Sequence, residues 1–420
     1  MQTTVLLDHQ AVADGHLVRM LLRIEGSPPP AGTRTPLDLA LVLDRSGSMH
    51  GEKLQAARRA AAEVVRRLWP EDRVSVVVYD DRIETLAECA RGGEAPGLMV
   101  ALERVEARGS TNLSGGWLRG RELVSPRDDE RRLRRVLLLT DGLANEGITD
   151  PDRLVSLAAG ARAHGISTTT LGFGRDYDER LLRAMAEAGG GATYYIEHAD
   201  QASAIFQDEL DDLLETCAQN VRVTLAPGAA SHFIRVRHGY PSTGTAEGVR
   251  YDLGDLYARE PRLLLAEFAL AASSGGTAPV ATITVAADVL AGDDLHHETL
   301  TLPITLDAEQ VPHVDATIQR EALLLDAADA RERAADARER GSFGEAQRAL
   351  HTAAAALRSA GMDDEALRAE IEDLDTLAAA PIDHIAEATS GKYLHQMAYH
   401  RKTGRSLKRE LIDRQRRRPE

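Results

Sequence analysis

The chain has 420 residues and a formal charge of −16 at pH 7, with 43% hydrophobic but only 4% aromatic residues. Single cores rarely grow beyond roughly 250–300 residues, so two or three domains packed mainly from aliphatic side chains are expected. The acidic balance argues against general nucleic-acid binding, which needs an extended basic surface, and no apolar run approaches the ~20 residues of a membrane-spanning helix.

Residues 1–35 carry alternating segments at 3–7 and 17–24 ahead of the Pro/Gly stretch SPPPAG, and predict two antiparallel strands. The N-terminal MQTTVLLDHQAVADG has neither the basic nor the apolar region of a secretory leader. Cys89 and Cys217 stand far apart, in no metal-ligand spacing, and are expected as free thiols. Together these features make a reducing cytoplasm the expected compartment.

From 36 to 216 the periodicity alternates. Strands are predicted near 38–44, 73–79, 135–140, 166–173 and 192–196, with helices near 52–68, 95–106, 113–124, 151–164, 178–188 and 200–216. That order implies a doubly wound, mostly parallel sheet with helices on both faces, and the segment 83–87 is expected as an antiparallel edge. The stretch 37–51, LDLALVLDRSGSMHG, is an unbroken apolar strand that stops at Asp44 and delivers two spaced hydroxyls, Ser46 and Ser48. In such sheets ligands sit just outside the carboxyl ends of the strands. Two later stretches end similarly: RGSTNL at 108–113 offers Thr111 before a helix, and RVLLLTDGLAN at 135–145 is a strand ending in Asp141. Asp44, Ser46, Ser48, Thr111 and Asp141 form an all-oxygen set without His or Cys, suited to Mg²⁺, Mn²⁺ or Ca²⁺. Three of the five candidates are neutral hydroxyls, so a bound cation would readily accept another carboxylate from outside.

Taken singly, each motif has a commoner explanation. Asp44 or Ser48 can satisfy free amides at a helix start, Thr111 can be an ordinary N-cap, and Asp-Gly is a frequent turn. Their order and spacing within one α/β frame are what make DRSGSM, the Thr111 loop and LTDG resemble the metal-ion-dependent adhesion site of the von Willebrand factor type A (VWA) family over residues 36–215. The resemblance implies that Asp44, Ser46, Ser48 and Thr111 approach the metal directly or through water, that Asp141 acts through water, and that an Asp or Glu of a protein partner completes the shell. It also implies a protein-interaction module of the intracellular, bacterial type rather than an enzyme. The competing class is a Mg²⁺-dependent phosphatase of the haloacid-dehalogenase kind. Such an enzyme wants a second Asp where Ser46 stands, which would leave the general-acid role vacant.

After Cys217 short strands replace the alternation, at 221–225, 233–237, 249–253, 262–270, 281–286 and 298–306. These read as an antiparallel β-sandwich, and the strands of 1–35 need a sheet to join. The α/β domain at 36–216 is therefore expected to be inserted in a sandwich made from 1–35 and 218–307. An Ala-rich region at 314–390 predicts three antiparallel helices at 317–340, 343–360 and 364–379. The strongly basic segment 391–420 is expected to be a solvated tail, or an arm that docks on an acidic surface.

Overall fold

A computed structural model describes residues 1–404 except 13–14, 28–33, 93–95, 126–131, 230, 259, 272–275, 292–293, 308–311 and 380–383. The greater part of the expected basic tail, 405–420, lies outside the described residues. The chain divides into two compact units, one built on 29–216 and the other from 1–28, 217–289 and 296–407.

The chain opens with an antiparallel hairpin of β1 (Gln2–Val12) and β2 (Gly15–Glu25). The α/β unit then runs β3 (Leu37–Asp44), α1 (Glu52–Arg67), β4 (Arg73–Tyr79), β5 (Ile83–Arg91), α2 (Pro96–Glu103), α3 (Leu113–Leu123), β6 (Leu133–Thr140), α4 (Pro151–Ala163), β7 (Ile166–Phe173), α5 (Glu179–Ala188), β8 (Gly190–Ile196) and α6 (Ala202–Leu214). The strands lie in the order β5-β4-β3-β6-β7-β8, all parallel except β5, which pairs antiparallel with β4 at the edge. β3 is central, and the chain leaves it for β4 on one side before returning to β6 on the other. The order therefore reverses between β3 and β6, the switch point where a doubly wound sheet opens a crevice at its carboxyl ends.

The sheet is covered on both faces, so its parallel strands are buried almost throughout, and only the antiparallel edge strand β5 is not. β7 is the instructive case: Ser167, Thr168, Thr169 and Thr170 are all buried. Its hydroxyls find partners, as buried polar groups must. Thr168 accepts from the Trp117 indole at 3.1 Å, Thr169 donates to Glu209 at 2.6 Å, and Thr170 donates to the Leu182 carbonyl at 2.9 Å. α3 lies close against β3, and a Cβ on Gly120 would come within 2.4 Å of Val42 Cγ2, so only glycine allows that approach.

In the other unit β9 (Thr216–Pro227), β10 (Ser231–Val236), β11 (Ser242–Thr245), β12 (Gly248–Tyr257), β13 (Arg262–Ala271), β14 (Thr277–Ala291) and β15 (Asp294–Asp307) precede α7 (Ala316–Glu339), α8 (Phe343–Ser359), α9 (Glu365–Ala379) and α10 (His384–Lys402). The strands form a four-stranded sheet, β1-β2-β13-β10, and a five-stranded one, β11-β12-β9-β14-β15. β2 pairs antiparallel with β13 from Gly15 opposite Ala271 to Ile24 opposite Arg262. One apolar core is shared by the two sheets, with Val18, Met20, Leu264 and Phe268 from the first and Val223, Leu253, Ile283 and Val285 from the second. The opposite face of the first sheet packs Leu21 and Leu265 on Ile318, Ala322 and Leu325 of α7. Within the helices Arg331 is buried between Glu370 and Asp373, a geometry in which each charge answers the others' desolvation.

Two readings of the sequence need correction. β11 was not expected, because STGT between Pro241 and Gly248 reads as a turn. The helical region holds four helices among the described residues, not three, because 384–402 is helical where a basic tail was expected from 391. Its sequence has no clean apolar stripe, yet Leu394, Ala398 and Tyr399 are buried. Lys402 lies 2.6 Å from both Asp329 and Glu332 of α7, and the Thr403 carbonyl accepts from the Tyr240 hydroxyl at 3.1 Å. Acidic side chains on α7 thus turn the start of a charge run into an anchored helix.

Candidate metal centre

The five oxygen-bearing side chains expected at the carboxyl edge are brought to one place. Asp44 ends β3, and Asp141 follows β6, its neighbour in the sheet. Asp44 is fully buried: its Oδ1 accepts from the Ser46 amide at 2.7 Å and its Oδ2 from Thr140 Oγ1 at 2.6 Å. Ser46 Oγ lies 3.1 Å from Ser48 Oγ, which donates to Asp141 Oδ1 at 2.6 Å. A Cβ added to Gly142 would lie 3.4 Å from Thr111 Oγ1 and 3.7 Å from Ser48 Oγ. The hydroxyls therefore converge over a glycine that leaves space beside them. Burial pushes the Asp44 carboxyl up to about 6, against the pull of Thr140 and Ser46; such a group is short of positive charge.

Backbone hydrogen bonds tie the three loops together. The Gly47 amide donates to the Gly109 carbonyl at 3.1 Å, and the Arg108 amide to the Arg45 carbonyl at 2.8 Å. Thr111 is fixed through its carbonyl, which accepts from the Asn145 amide at 3.0 Å and the Glu146 amide at 3.3 Å. Gly109 has φ of 67°, and any side chain there would also strike Asp81. Asn112 caps α3 by accepting from the Gly115 amide at 2.9 Å, so the cap belongs to Asn112 and the Thr111 hydroxyl is spared for the crevice.

Three supporting residues, Thr140, Asp80 and Lys53, were not singled out from the sequence. Thr140 holds Asp44. Asp80, at the end of β4, is buried and accepts from Arg45 Nε at 2.8 Å and Arg108 Nε at 2.6 Å, which clamps the Thr111 loop onto the Ser46 loop. Burial works against the Asp80 charge, but Arg108 and Arg45 outweigh it and hold the carboxyl below its usual range. A signal was present, since Asp80 ends an apolar strand just as Asp44 does. Lys53 in α1 donates to Asp141 Oδ2 at 2.5 Å. His50, beside the loop, is exposed.

Among the described residues no three His, Cys, Asp or Glu side chains are grouped as a metal site. Two carboxylates with three hydroxyls form a weakly charged oxygen set, which fits a hard divalent cation that keeps some of its waters.

Residues 38–208 match the von Willebrand factor type A domain. The chain is also 30% identical over 306 residues to protein sll0103 of Synechocystis sp., covering 70% of this chain and 71% of that one. The chain belongs to the von Willebrand factor type A family. A further relative is YfbK of Escherichia coli, 27% identical over 190 residues; the match covers 45% of the present VWA chain and 33% of that protein. Among solved structures, the von Willebrand factor type A protein from Catenulispora acidiphila has a TM-score of 0.70 at 16% identity. It covers 94% of this VWA chain and 96% of its own, a likeness of fold that extends beyond the α/β unit. VWA domains typically mediate protein–protein interactions. No helix among the described residues is long and apolar enough to cross a membrane.

Proposed function

We propose that this chain is a metal-dependent protein-interaction module. Asp44, Ser46, Ser48, Thr111 and Asp141 would hold a divalent cation, Mg²⁺ by preference or Mn²⁺ or Ca²⁺, and a partner's Asp or Glu would complete its shell. The observation that carries this reading is the linked set at the β3/β6 switch point: Asp44 holds the Ser46 amide, Ser46 meets Ser48, Ser48 donates to Asp141, and Ser48 and Thr111 lie beside Gly142. When bound, such a cation would supply Lewis acidity for an incoming carboxylate. The chain's own residues orient the hydroxyls, keep Asp44 desolvated and leave Ser48 and Leu143 exposed at the rim. No observation favours the phosphatase reading, since Ser46 and Thr140 around Asp44 supply no acid.

The domain division that goes with this function has strands at 1–35, the VWA domain at 36–216 inserted in a sandwich completed by 218–307, helices within 314–402 in place of the expected 314–390, and a basic end after 402 in place of 391–420. Pairing of β2 with β13 supports the insertion. A cytoplasmic location is proposed as well, supported by the two free cysteines.

The test is retention of partners on the immobilised chain in Mg²⁺ and in EDTA, with Thr111→Ala alongside. The expected result is a partner retained by wild type in Mg²⁺, released by EDTA, poorly held by Thr111→Ala, and lost when one of its own acidic residues is changed to the amide. Retention that is equal in Mg²⁺ and EDTA would remove the reading.

A further inference from the structure

Lys53 is out of place as a helix residue. It lies in the first turn of α1, where the helix dipole favours acids and works against a cation, and the adjacent Glu52 already supplies the acid. Its ammonium nevertheless reaches back over the loop to Asp141 Oδ2 at 2.5 Å. It passes close to Gly174, where a Cβ would lie 3.4 Å from Nζ. The Lys53 side chain is 30% exposed and Asp141 is fully buried, so the contact brings a solvent-accessible positive charge onto a buried negative one.

Asp141 thus has both oxygens engaged, Oδ1 by the Ser48 hydroxyl and Oδ2 by Lys53. An isolated buried carboxylate is costly, and an ammonium is an effective counter-ion for it. A divalent cation arriving beside Ser48 must share Asp141 with that ammonium and is repelled by it.

We infer that Lys53 is an internal cation, resident on Asp141, that competes with the divalent metal and so sets the affinity of the site. The inference rests on the proposed metal site and assigns that site its own regulator. With Lys53 in place the metal-free crevice keeps Asp141 neutralised and its loops preformed, and metal is taken up only where its concentration is sufficient to overcome the ammonium. A site built this way exchanges its metal readily instead of retaining it.

The experiment is calorimetric titration with Mn²⁺ of the full chain as wild type, Lys53→Met and Lys53→Arg, together with the melting temperature of each in EDTA. Lys53→Met keeps the aliphatic stem and removes the charge; it is expected to bind Mn²⁺ at least about tenfold tighter, about 1.4 kcal/mol, and to melt lower than wild type in EDTA. Lys53→Arg keeps the charge and should stay near wild type. A lysine with a merely structural role would lower the melting temperature in the Met variant without tightening metal. Equal or weaker Mn²⁺ binding by Lys53→Met would overturn the inference alone. Absence of Mn²⁺ binding in all three proteins would overturn the metal reading, and the inference with it.

Discussion

Asp44→Asn is expected to weaken Mn²⁺ binding at least about a hundredfold while leaving the metal-free protein folded. Loss of an outer hydrogen-bonding partner commonly costs 10–100-fold in metal affinity, and Asp44 is one of only two carboxylates in the set. Asparagine keeps the shape and can still accept from the Ser46 amide or Thr140, which now hold the carboxylate. The sign of the stability effect follows from burial. Because the Asp44 carboxyl is pushed up to about 6, the metal-free fold favours its neutral form. That contribution is fully present below the ordinary value near 3.8 and is lost as pH rises to about 6. At pH 7 in EDTA the charge is therefore a burden to the fold, and Asp44→Asn should melt no lower than wild type. Calorimetric titration and thermal melts check both halves. Undiminished Mn²⁺ binding by the variant would exclude Asp44 as a ligand.

Removal of residues 1–35 is expected to abolish cooperative folding of the β-sheet and helical unit, while a fragment of residues 36–216 folds alone. β2 is an interior strand, hydrogen-bonded to β1 on one side and β13 on the other. It buries Val18, Met20, Leu21, Leu22 and Ile24. At about 1.5–3 kcal/mol for each buried side chain, their loss removes about 7–15 kcal/mol, as much as the whole stability of a typical domain. The long β13 edge left bare also invites aggregation. Circular dichroism melts and size-exclusion chromatography of a 218–420 fragment check this, and a soluble fragment with a single sharp transition would show that the first two strands are dispensable.

The α/β unit was legible because its strands are long apolar runs, each bounded by turn residues, and because two of them, β3 and β6, run into Asp44 and Asp141 at the edge where this topology places ligands. β7 was found in spite of four hydroxyl residues, since Thr has a β-branched shape suited to strands, but the partners that make its burial possible, Trp117, Glu209 and Leu182, are distant in sequence. The same distance hid the supports of the site. Nothing local says that Thr140 holds Asp44 or that Asp80 clamps two arginines; both follow only from the register of β3 with β4 and β6. Lys53 carried a local signal, a cation in the first turn of a helix. α10 escaped because its burial depends on acidic residues of α7, and a charge run with a partner looks the same in sequence as one without.

The most direct measurement is the anomalous scattering of Mn²⁺ in crystals of the full wild-type chain. A single strong peak is predicted among Asp44, Ser46, Ser48 and Thr111, with the Ser46 and Ser48 hydroxyl oxygens about 2.0–2.4 Å from it, the range of hard cations bound by oxygen, and with Asp141 beside it. A peak elsewhere on the chain, or none at this position at saturating Mn²⁺, would contradict the assignment of these five residues as a metal centre.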